Sequence, residues 1–116
     1  MRRSVRFEVH LAHAATDATR APLAYTLAEG DELVFGRNPA TANAPVPHIT
    51  VAKRHALARF TTEGPTITDL FSPCGMYVNA QRVSSGQPFL LHDGDRVYLG
   101  QAHLVVRFDP TDAPAT

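Results

Sequence analysis

The chain has 116 residues, 44% of them hydrophobic, which is enough apolar material to bury one core and makes a single domain the expectation. Eleven basic residues balance eleven acidic ones, so no whole-molecule field draws the protein to nucleic acid or an anionic membrane, and neither is expected as a partner. A lone cysteine, Cys74, excludes an internal disulfide framework and fits a reducing compartment.

The chain begins Met1-Arg2-Arg3, but Glu8 and His10 interrupt the apolar run that a signal peptide needs. No later stretch is long and apolar enough to span a bilayer, so an intracellular protein is expected. Val5, Phe7 and Val9 alternate with polar neighbours, the pattern of a half-buried strand. His10 to Ala21 is rich in Ala and Thr, yet its apolar residues form no helical stripe, and a long loop is predicted. Leu23, Tyr25 and Leu27 resume the alternation, and Leu33-Val34-Phe35 follows the turn Glu29-Gly30-Asp31. Asn38 to Pro47 carries three prolines, which rules out a central strand and predicts an irregular loop. Ile49 with Val51, Ala56 to Thr61, Ile67, Tyr77-Val78, Phe89-Leu90-Leu91, Val97-Tyr98-Leu99 and Leu104 to Phe108 bring the series to about ten candidate strands. Between them stand the turn clusters Glu63-Gly64-Pro65, Ser84-Ser85-Gly86 and His92-Asp93-Gly94-Asp95. Many short strands at such spacing predict an all-β sandwich, with the loops at one end as its natural binding surface. Residues 1–108 are expected to form the domain, and Asp109 to Thr116 the start of a linker within a longer multidomain protein.

Charge is unevenly placed along this neutral chain. Between Leu33 and Thr62 there is no Asp or Glu, while Arg37, Lys53, Arg54 and Arg59 all fall there. A local basic patch suits one small anionic group better than a polyanion, and four solvated side chains are the alternative. Arg37, directly after Gly36 at the end of a predicted strand, is the leading candidate, because a guanidinium offers a rigid fork of donors that matches a phosphate. Glycine before it lets the chain leave the strand at an angle that a Cβ would resist. Lys53 would add charge without geometric demand, and Arg54 is the third candidate. Arg82 would extend the patch or simply be solvated.

Four segments in fixed order carry a family resemblance: Phe35-Gly36-Arg37, Val51-Ala52-Lys53-Arg54-His55-Ala56, Thr68 to Asn79, and Asp93-Gly94-Asp95-Arg96-Val97-Tyr98-Leu99-Gly100. From Glu32 to Phe108 the chain resembles a forkhead-associated (FHA) domain. The resemblance implies a β-sandwich of about eleven short strands whose loops at one end bind a phosphothreonine peptide of a partner protein. It implies that Arg37 and Lys53 contact the phosphate, that His55 is a scaffold holding its loop, that Gly75 makes the following turn, and that Gly36 and Asn79 support the site. The loops 38–48 and 70–76 would frame the pocket and set peptide selectivity, which brings Cys74, Gly75 and Met76 to the peptide beside Arg37, Lys53 and Arg54.

Several positions depart from the family pattern. The family's phosphate-contacting serine is Ala52 here, its peptide-binding asparagine is Cys74, and the threonine after the glycine is Met76. Hydrogen bonds to charged groups are worth about 1.5–3 kcal/mol, so loss of the serine predicts phosphate binding weakened about ten- to a hundredfold. The alternative is a phosphorylation-independent adaptor or oligomerisation module on the same fold. Each residue also has a plainer reading: Cys74 as a passive thiol, Met76 as a packing residue, His55 as a scaffold rather than a metal ligand or base. No enzyme is expected, since Ser72 has no base or oxyanion device nearby in sequence, and no metal or cofactor is expected either.

Overall fold

Alternation dominates the architecture. A computed structural model describes residues 2–11 and 23–108, and among these there is no helix. In β1 (Ser4–His10), Val5, Phe7 and Val9 point inward and are buried, as the period-two pattern requires. β2 (Leu23–Ala28) pairs antiparallel with it and buries Leu27, and β3 (Glu32–Gly36) buries Phe35. After β4 (Ala44–Pro45), the antiparallel pair β5 (Ala56–Thr61) and β6 (Gly64–Asp69) supplies Ala56, Ala58, Phe60 and Ile67 to the interior. β7 (Met76–Val78), β8 (Gln81–Arg82), β9 (Phe89–Leu90), β10 (Arg96–Leu99) and β11 (Ala102–Phe108) complete the chain.

These strands form two sheets. One runs β2-β1-β11-β10-β7-β8, the other β4-β3-β5-β6-β9. Their facing sides share one core, in which the Phe7 and Phe35 rings meet edge to face at 5.0 Å and Tyr25 approaches Phe35 at 6.2 Å. Full burial of each of these phenylalanines contributes about 1.5–3 kcal/mol. The all-β sandwich is therefore as expected, while three local expectations are corrected.

Ile49 and Val51 form no strand. His48 N–H bonds the Val46 carbonyl at 2.9 Å and Val51 N–H the His48 carbonyl at 3.0 Å, while Thr50 N–H reaches His48 Nδ1 at 3.2 Å. Local bonds thus satisfy the backbone after Pro47 and replace a ladder. Val51 is buried, but Ile49 stands 86% exposed. Within the predicted irregular loop 38–47, Ala44–Pro45 makes a short parallel bridge to β3 at the sheet edge, where a proline is tolerated. Gln81–Arg82, absent from the expected strand series, forms β8 because Asn79 accepts a φ of 56° and turns the chain back onto β7. The loop expected over His10 to Ala21 and the linker from Asp109 lie mainly and wholly, respectively, outside the described residues.

Candidate functional site

The end of β3, the loop before β5, and the loop between β6 and β7 meet around one histidine. Gly36 ends β3 with an ordinary negative φ, so its role is close approach rather than an unusual angle. A Cβ there would overlap the Lys53 carbonyl and stand 3.0 Å from Arg54 Cα. Backbone contact across this gap fixes Arg37. Its N–H donates to the Ala52 carbonyl at 2.9 Å and its Nε to the Val51 carbonyl at 3.1 Å. The Nη edge of the exposed guanidinium is left without a partner among the described residues.

His55 is fully buried and uses both ring nitrogens. Nδ1 accepts from Ala52 N–H at 3.1 Å and Nε2 donates to the Gly75 carbonyl at 2.9 Å, an arrangement that the Nε2–H tautomer satisfies. Its own N–H bonds the Phe35 carbonyl at 2.8 Å, and its carbonyl accepts Leu70 N–H at 2.9 Å. One residue thus joins the Arg37 strand, the 51–54 loop and the 70–75 loop.

Beside it lies a residue that sequence reasoning passed over. Asp69, fully buried at the end of β6, stands 4.0 Å from His55 Nε2 and accepts the hydroxyls of Ser72 and Ser85, each at 2.6 Å. Its backbone carbonyl also takes Gly86 N–H at 2.9 Å. The carboxylate therefore anchors the start of the 70–75 loop to the loop after β8. The available signal was an acid two residues after Ile67, on the inward parity of a strand, with a serine three residues on.

The remaining candidates separate. Lys53, Arg54 and Cys74 are exposed at the same loops as Arg37. Met76 is fully buried in the core, so its expected contact with a peptide is withdrawn: the inward parity of β7 gives its side chain to packing. Gly75 is buried with a φ of 74°, and its carbonyl is already engaged by His55. Asn79 lies at the far end of β7 from Gly75. There its Nδ2 donates to Asp95 at 3.1 Å and its Oδ1 accepts Arg96 N–H at 3.1 Å, so it ties the β7–β8 turn to β10 and supports the site only through that strand. Arg59 leaves the basic patch altogether. It pairs with Glu32 at 2.6 Å across β3 and β5.

Ion pairing sorts the cations. Arg2, Arg3, Arg6, Arg59 and Arg107 each have a carboxylate partner. Among the described residues Arg37, Lys53, Arg54, Arg82 and Arg96 have none. Arg37, Lys53 and Arg54 at the site loops therefore offer positive charge that no carboxylate of the described residues pairs with, which favours an anionic ligand.

An FHA-domain family model matches residues 33–100, more than half of the chain, and the chain belongs to the FHA family. FHA domains are interaction modules rather than enzymes, and generally bind phosphothreonine. A solved FHA domain with phosphothreonine-dependent interactions is 29% identical over 92% of this chain and 98% of that one, with a TM-score of 0.74. The FHA domain of FhaA, solved in complex with the intracellular domain of Rv3910, is also 29% identical, over 89% and 99% of the two chains, with a TM-score of 0.71. The FHA domain of the CT664 protein from Chlamydia trachomatis shares the fold at 19% identity, over 90% and 96%, with a TM-score of 0.73. No curated protein sequence matches this chain.

Proposed function

We propose that the loop end of this domain binds a phosphothreonine-containing segment of a partner protein, with Arg37 as the main phosphate ligand and with affinity below that of a fully equipped site. The observation that carries this reading is the state of Arg37: Nε is spent on the Val51 carbonyl, which orients the guanidinium and leaves its outer edge free for a phosphate. Lys53 is exposed next in line, and its backbone N–H makes no hydrogen bond among the described residues, so it supplies both charge and a directed donor.

Position 52 has little to add. Ala52 has no hydroxyl, its N–H is taken by His55, and its carbonyl is taken by Arg37. A missing donor to a charged group costs about 1.5–3 kcal/mol, or about ten- to a hundredfold in Kd. Cys74, exposed where the family's asparagine would bond the peptide backbone, gives up further orientation.

Fluorescence polarisation with a degenerate phosphothreonine peptide pool and its unphosphorylated twin, on wild type and Arg37→Ala, tests the reading. Binding is expected to require both the phosphate and Arg37. Equal binding of the two pools would overturn phosphate recognition in favour of a phosphorylation-independent adaptor, and a low-micromolar Kd for an ordinary phosphothreonine peptide would overturn the weakened pocket.

A further inference from the structure

Arg82 is an exposed arginine that no carboxylate of the described residues claims, and its guanidinium has a defined seat. β8 pairs with β7 so that Arg82 lies opposite Tyr77, on the same face as Gly75 two residues earlier. Because Gly75 has no side chain, the guanidinium lies over its backbone: Nη2, Nε and Cζ stand 3.1, 3.4 and 3.5 Å from where a Cβ would be. The Arg82 side chain makes no hydrogen bond, ion pair or ring contact with any described residue. The exposed guanidinium thus keeps donors that no described residue takes up, a group suited to a carboxylate.

Its place relative to Arg37 decides what it meets. Arg37 is tied to the Val51–Ala52 side of the His55 ring, and Arg82 covers Gly75 on the other side. An imidazole and its two hydrogen bonds separate these backbones by roughly 8 Å. An extended peptide advances about 3.3 Å per residue, so a segment anchored at Arg37 by its phosphate reaches Arg82 with a side chain roughly two to five residues away. Resting on the proposed phosphopeptide reading, we infer that Arg82 is a second, specificity-determining contact, which selects an acidic side chain of the bound segment. It stands beside Cys74, where the family pattern would grip the peptide backbone, and so recovers by charge some of the orientation lost there.

The test is a positional scan. Phosphothreonine peptides carrying Asp, Ala or Lys at each of the five positions on either side of the phosphothreonine are titrated against wild type, Arg82→Gln and Arg82→Glu, with thermal melting to confirm folding. Wild type should prefer Asp over Ala at one position by about three- to fivefold, the gain of an exposed ion pair in good geometry. Arg82→Gln should lose that preference whatever its overall affinity for the Ala peptide, and Arg82→Glu should turn it towards Lys at the same position. Phosphate-dependent binding with the same positional profile in all three proteins would overturn the role of Arg82 while leaving the phosphothreonine site intact. Binding indifferent to phosphate would overturn the reading on which the role rests.

Discussion

Replacing His55 by alanine removes a side chain that joins the 51–54 and 70–75 loops. The imidazole is fully buried and bonds Ala52 N–H at 3.1 Å and the Gly75 carbonyl at 2.9 Å. Neutral hydrogen bonds contribute about 1 kcal/mol each, and a buried group left without its partner costs about 1–3 kcal/mol. Gly75 is buried, so its carbonyl takes most of that penalty, whereas half-buried Ala52 recovers part of it from water. Adding the lost packing of the ring, His55→Ala should cost about 3–4 kcal/mol. Urea unfolding followed by fluorescence-independent circular dichroism would show this as a lower midpoint at unchanged slope. In a thermal melt the same loss corresponds to a fall of very roughly 10–20 °C. A loss under about 1 kcal/mol would refute the reasoning, because it would mean that the Ala52 and Gly75 groups find other partners and that His55 does not hold the loops together.

Gly36→Ala should destabilise the domain by about 1–3 kcal/mol, since the added methyl must push the Lys53 backbone away, and it should weaken phosphopeptide binding more than tenfold as Lys53 moves; urea midpoints and peptide titration read the two effects. Asp69→Ala strips the acceptor from the Ser72 and Ser85 hydroxyls, and should cost about 2–4 kcal/mol by urea unfolding, with Asp69→Asn milder because one acceptor oxygen remains. Burial, then the neighbouring His10 and Arg96, hold His103 below its ordinary value of 6.5. The unfolded chain therefore binds this proton first, so the stability that neutral His103 contributes is complete above pH 6.5 and falls as the pH drops below it. In stability curves between pH 7 and about 5, His103→Asn should flatten part of that slope.

Legibility in the sequence followed the physics of each segment. β1, β5 and β10 bury one face, so their period-two patterns announced them, and the shape-setting Gly36, His55 and Gly75 stood out as glycine and histidine in an ordered motif. Ile49 and Val51 carried the same alternation without a strand, because bonds among Val46, His48 and Thr50 settle that backbone locally and hydropathy does not report them. β8 is two polar residues long and has no inward side to betray it. Asp69 escaped notice because its meaning depends on Ser85, sixteen residues away and brought near only by the loop after β8. Met76 shows the reverse error, in which a motif position suggested ligand contact while strand parity assigned the side chain to the core.

The most direct measurement is amide and arginine-side-chain NMR of the isotope-labelled domain during titration with a phosphothreonine peptide. The Arg37 Nε–H and the Lys53 amide should shift first and together, with smaller changes at Ala52, Cys74 and Gly75, and none of these should move with the unphosphorylated peptide. Shifts confined to a sheet face or edge, or equal shifts with and without the phosphate, would contradict phosphate recognition at Arg37.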